Sequence, residues 1–227
     1  MGKPIAANAT LTNAIEALYF SRAALLVAQR MDTRRTEEDR AFFEAQARTL
    51  DSSITELTQL EAALLAHQRG AATEAQAAVM LGDVVLDATV RDGNRVTKTE
   101  LANKSGLGAQ HVFGARVDDL TGEELELEPA AVVHAADRFV DVPDFTSKAR
   151  VEAALRGAAA RQEEALTARS TVARAGTQLE SRAAAAIVRA SEALAGVEGA
   201  LVARFPGQYR YCGSFFKPTT RAKRKKD

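Results

Sequence analysis

The sequence predicts a mainly α fold. Two long helical arms, paired as an antiparallel coiled-coil stalk or folded into an elongated helical bundle, flank a small, mostly helical head with at most a short strand. Three observations carry this expectation. From Thr10 to Arg69 there is neither Gly nor Pro. Apolar residues in both outer parts of the chain recur at the three-and-four spacing of a helix face. The composition is rich in Ala, Leu, Glu and Arg, lacks Trp and is only 5% aromatic, as suits long helices with small side chains at their contacts.

The N-terminal arm is expected over residues 1–70. Its stripe runs through Leu11, Ile15, Leu18 and Leu25 and resumes at Phe43, Leu50, Leu57, Leu60 and Leu64. The stripe fades across "QRMDTRRTEED", where Asp32 or Thr36 can cap a new helix, Thr36 with Asp39 three residues on. A corner or a solvated joint is therefore expected near residues 31–36, and Gly70 is expected to end the segment. His67 falls on the seam three residues after Leu64 and reads as a contact rather than a catalytic base.

The acidic head is expected over residues 71–146. A helix opened by Thr73 is expected to stop at Gly93-Asn94, with a second capping box at Thr97 and Glu100 and a stop at Gly106. Alternation over Glu124–Glu128 suggests the short strand. Pro129 then starts a short helix, "PAAVVHAADRFVDV".

The C-terminal arm, residues 147–204, opens after Pro143 with a Thr146/Ser147 cap and closes at Pro206. Val151, Leu155, Ala158, Gln162, Ala165, Val172, Leu179, Ala183, Ala186 and Ala190 form its seam, which continues through Ile187, Leu194, Val197 and Leu201. Gly176 with Thr177 and Glu180 has the form of a stop and a capping box, yet the heptad phase passes through it unchanged. One long helix is expected here, with a fold-back at Gly176 as the alternative. Each arm would be about 85 Å long if helical throughout, and a helix of that length must bury its stripe against another.

The chain ends in "RFPGQYRYCGSFFKPTTRAKRKKD". This stretch holds eight Lys/Arg against one carboxylate, and five of the twelve Phe and Tyr of a chain that is neutral overall. Residues 205–217 are too aromatic for a solvated tail and are expected to fold back and dock, on the arms or on a partner, through Phe205, Tyr209, Tyr211, Phe215 and Phe216. Residues 218–227 read as a disordered basic tail. In it Arg221, Lys223, Arg224, Lys225 and Lys226 are the candidates for contact with nucleic acid or another anionic surface.

No motif identifies a catalytic activity, and no cofactor, metal or catalytic residue is expected. His134, Asp137 and Asp141 share a helix face with His111 elsewhere in the head, but no close-spaced ligand pair supports a metal site. "KSGLGAQ" lacks the Gly-Lys-Ser/Thr ending of a phosphate loop. Cys212 has no partner for a disulfide and no His beside it in sequence, so it reads as a packed thiol. The N-terminus has no apolar signal core, no stretch suits a membrane span, and Ala6 breaks the myristoylation pattern. A cytoplasmic protein is expected, and the Ala and Arg bias suggests a GC-rich bacterial genome. The function these features favour is non-enzymatic and structural: an adaptor or scaffold acting through a protein partner or self-association. The alternatives are anionic-surface binding through the tail, or an enzyme or metal protein built on the head.

Overall fold

The computed structural model describes Ile5 and residues 9–217. Among these residues the regular structure is helical, with no strand, and none of the helices is long and apolar enough to cross a membrane. The chain divides into two compact units. One comprises Met1–Ala66 with Gly176–Asp227, and the other is His67–Ala175.

The first unit is built on three antiparallel passes of helix. Helix α1 (Leu11–Met31) is capped by Thr10, whose hydroxyl accepts from the Asn13 N–H. The chain then turns over residues 32–36. Helix α2 (Glu37–Thr49) opens with a full capping box, the Thr36 hydroxyl accepting from the Asp39 N–H and the Asp39 carboxylate from the Thr36 N–H. Helix α3 (Asp51–His67) follows after Leu50. Contacts from Thr12 to Glu61, Arg22 to Asp51 and Gln29 to Glu44 fix α1 antiparallel to α2 and α3. The sequence between the two N-terminal stripes is thus a corner, and the N-terminal segment folds back on itself. The third pass belongs to helix α8 (Lys148–Arg204), tied to the others by Arg189–Glu56 at 2.6 Å and Arg204–Asp39 at 2.8 Å. Leu18, Leu25, Phe43, Leu50, Leu57, Ala190, Leu194 and Leu201 are buried together in its core.

The second unit departs from the expected head in several ways. Gly70 does not end the helix. Residues Gln68–Ala72 form a single π turn, bridged by the Thr73 hydroxyl donating to the Gln68 carbonyl, and α4 (Thr73–Leu101) continues from it. Gly93-Asn94 does not stop α4 either. A Cβ on Gly93 would lie 3.1 Å from Val151 and 3.3 Å from Phe113, so this glycine serves a close approach of two buried neighbours inside an unbroken helix. The Thr97/Glu100 box is not formed, because both residues are interior to α4. Glu100 instead accepts from the Ser147 hydroxyl and N–H, at 2.7 and 3.1 Å, at the start of α8. Those bonds, against some burial, hold its carboxyl below the usual range.

Three short helices follow, α5 (Ala109–Phe113), α6 (Asp118–Thr121) and α7 (Glu128–Asp137), the last running into a 3-10 turn at Arg138–Asp141. The strand expected at Glu124–Glu128 is absent. The N–H groups of Leu127 and Glu128 both bond back to the Glu124 carbonyl, a turn that delivers Pro129 into the first turn of α7, where its fixed φ is suited and its missing N–H costs nothing. Phe113, Phe139 and Phe145 pack with Leu86, Val90, Val151 and Leu155 in the core of this unit. Helix α8 passes Gly176 without interruption.

Candidate protein interface

The corner between α1 and α2 is held by charge as well as by capping. Asp32, just past α1, accepts from the Nε atoms of Arg34 and Arg35, both at 3.2 Å, and from the Tyr211 hydroxyl at 3.3 Å. Burial alone would raise the Asp32 carboxyl, but the two arginines outweigh it and hold it below the ordinary range. The Arg35 guanidinium lies 4.4 Å from the ring centre of Phe205 and 4.5 Å from that of Tyr211, and donates to the Gln208 side chain at 2.9 Å. A cation so placed over two rings is attracted by both π faces.

The partner of this corner is the aromatic segment. Pro206 ends α8, Gly207 takes a positive φ of 79° that reverses the chain, and helix α9 (Tyr209–Gly213) returns over the corner. Phe43 receives Phe205 and Phe215 with ring centres 5.5 Å away in each case, and Tyr211 meets both at right angles. Phe205, Cys212 and Phe215 are buried, Tyr211 and Phe216 are half-buried, and Tyr209 is 62% exposed. The Cys212 thiol sits against the Leu201 carbonyl, and burial pushes its pKa up, away from reactive thiolate character. Lys217 ion-pairs with Glu16 on α1. Arg221, Lys223, Arg224, Lys225 and Lys226 lie outside the described residues.

Beside α9 a cleft of about 490 Å³ opens, lined on one side by Ala24, Val27, Ala28 and Met31 of α1 and on the other by Tyr211 and Phe215. Its apolar wall continues along α1. Phe20, Ala24, Val27 and Met31 follow one another at spacings of four, three and four, and Phe20, Val27 and Met31 are exposed, Met31 to 75%. This is a second apolar stripe, separate from the one that α1 buries. It was readable as an excess of apolar residues off the phase of Ile15, Leu18 and Leu25.

The other sites raised by the sequence are dispersed. His111 pairs with Asp141 at 3.0 Å, whereas Asp137 is taken by Arg156 at 2.8 Å with the exposed His134 3.9 Å away. Among the described residues no group of three or more His, Cys, Asp or Glu side chains is arranged to hold a metal. A buried acid that sequence reading missed is Glu128, only 1% exposed and with no hydrogen-bond partner for Oε1 among the described residues. Burial, followed by hydrogen bonding and like charge from Asp87 and Asp83, pushes its carboxyl up to about 8. Comparison with protein-family models, curated proteins and solved structures finds no match.

Proposed function

We propose that this chain is a non-enzymatic, cytoplasmic structural or adaptor protein that works through helix-mediated association. The observation that supports this most directly is the uncovered stripe of Phe20, Ala24, Val27 and Met31, running into the cleft beside Tyr211 and Phe215. An amphipathic helix of a partner protein suits such a surface, its apolar side chains seated at i, i+3/i+4 and i+7 positions. Arg35, stacked under Phe205 and Tyr211, keeps the far wall of the cleft in place.

In-cell cross-linking followed by mass spectrometry, run on the wild-type chain and on Val27→Asp, tests this reading. Cross-links from a defined partner to residues around α1 and α9 are expected in the wild type and should disappear in the variant. A partner set unchanged by Val27→Asp would sink the α1 surface as the docking site. Val27 is exposed, so the variant should retain its circular dichroism spectrum.

A second reading gives the chain end an anionic partner, on the observation that five of the last seven residues are Lys or Arg. It predicts binding to DNA, RNA or anionic vesicles that collapses with added salt and vanishes on deleting residues 218–227. Retention of binding after that deletion removes this reading.

A further inference from the structure

Helix α4 carries two apolar faces on opposite sides. The inner one, through Val79, Leu86 and Val90, is buried. There Gly82 approaches Gln162 and Gly93 approaches Val151, so α4 runs antiparallel to the first part of α8. The outer face is uncovered: Leu81 is 66% exposed, Val84 62%, Met80 61% and Val85 41%. Large apolar side chains at this exposure in one continuous helix stripe mark an interaction surface.

The order of residues on that face says which partner it fits. Glu74, Ala77, Leu81, Val84, Ala88 and Arg91 succeed one another at spacings of three, four, three, four and three, a series that reads the same in both directions. Laid antiparallel on a second copy about an axis between Gly82 and Asp83, Leu81 meets Val84, Met80 meets Val85 and Ala77 meets Ala88. Glu74 meets Arg91 at both ends. Glu74 is exposed, and Arg91 makes long contacts, 3.8 Å to Asp87 and 3.7 Å to Asp118.

An isologous interface requires each patch to meet its own copy, which the order of residues on this face allows.

We infer that the outer face of α4 is a homodimer interface, closed by antiparallel pairing of Ala77–Ala88 with the same residues of a second copy and flanked by two Glu74–Arg91 ion pairs. The inference rests on the association reading above and specifies for it a second copy of this chain as partner. Residues 74–91 span about 27 Å of helix. A pair of helices in contact over that length buries on the order of 1,000 Å², the size of a weak, reversible interface, so the dimer should dissociate on dilution.

Sedimentation equilibrium of the full chain over a range of concentrations provides the test. A monomer–dimer equilibrium is expected, abolished by Leu81→Asp with the helical circular dichroism spectrum retained. Glu74→Arg and Arg91→Glu should each weaken the dimer about 3- to 10-fold, since each places like charges at two symmetric positions, and the two together should restore it. Parallel pairing does not juxtapose these residues, so no restoration would accompany it. A chain that is monomeric throughout, a dimer indifferent to Leu81→Asp, or a double reversal no stronger than either single one overturns the inference. A dimer lost on Val27→Asp but kept on Leu81→Asp would also overturn it while leaving the association reading intact.

Discussion

At the scale of single residues, Arg35 concentrates more of the first unit's order than any charge that surrounds it. Its guanidinium faces two aromatic rings, a carboxylate and an amide from two separate stretches of chain, Asp32 and residues 205–211. Lys could supply the charge but not a planar group that stacks and bonds at once. Replacing Arg35 by Met keeps the stem and removes the head. We expect Arg35→Met to cost about 1–3 kcal/mol and Arg35→Lys to recover only part of that loss, read from urea unfolding monitored by Tyr fluorescence. An unchanged midpoint for Arg35→Met would show the stacking to be immaterial. The sequence displayed the aromatic half of this arrangement, because five Phe and Tyr close together after a helix-ending Pro are hard to reconcile with a solvated tail. It did not display Arg35 as the other half, since "TRRT" has the look of any exposed turn.

At the scale of elements, the glycines separate what local sequence can say from what it cannot. Heptad phase is a property of one stretch, and the seam through Val172 and Leu179 continues across Gly176, as the helix does. The role of Gly93 depends instead on Val151 and Phe113, which arrive from other elements, so reading it as a stop mistook a packing requirement for punctuation. The same distinction yields a prediction with both signs. Gly196 and Gly199 lie within α8, where an alanine methyl would meet no side chain or other segment of the described residues inside 4 Å, so each change to Ala should stabilise by about 0.5–1 kcal/mol through helix propensity. Gly93→Val should instead destabilise by about 1–3 kcal/mol, its branches driven into a filled core. Chemical denaturation of the three variants checks this, and a stabilising Gly93→Val would mean that α4 stands further from its neighbours than 3.1 Å implies. The apolar excess on α1 and α4 was equally present in the sequence. Only burial distinguishes the stripes that are covered from those that are not.

At the scale of the whole molecule, neutrality conceals two oppositely charged units. The unit formed by residues 1–66 and 176–227 carries 17 Lys/Arg against 13 Asp/Glu, a net of +4, and residues 67–175 carry 13 against 17, a net of −4. The acidic unit also holds a carboxyl, Glu128, whose folded state favours the proton. Nothing around Glu128 in sequence marks it, because Asp83 and Asp87 reach it only through the fold. Its free-chain value of 4.5 rises to about 8 in the folded protein. Below about pH 4.5 both states hold the proton, and the stability tied to Glu128 is fully present. Between these values the unfolded chain releases the proton while the folded one retains it, so stability declines as pH rises and that contribution is gone above about 8. The sign is opposite for Asp32 and Asp39 in the first unit, where burial is outweighed by Arg34 and Arg35 at one and by Arg204 and Thr36 at the other. Their depressed values add stability that is lost only as pH falls through the acid range. Raising the pH from about 5 to about 8.5 should therefore loosen the second unit selectively. Amide hydrogen exchange, corrected for its intrinsic pH dependence, should accelerate in α4 and α7 and stay level in α1 and α2. Glu128→Gln, neutral at every pH and close to the same shape, should remove the acceleration. Equal acceleration in the variant would place the sensitivity in some group other than Glu128.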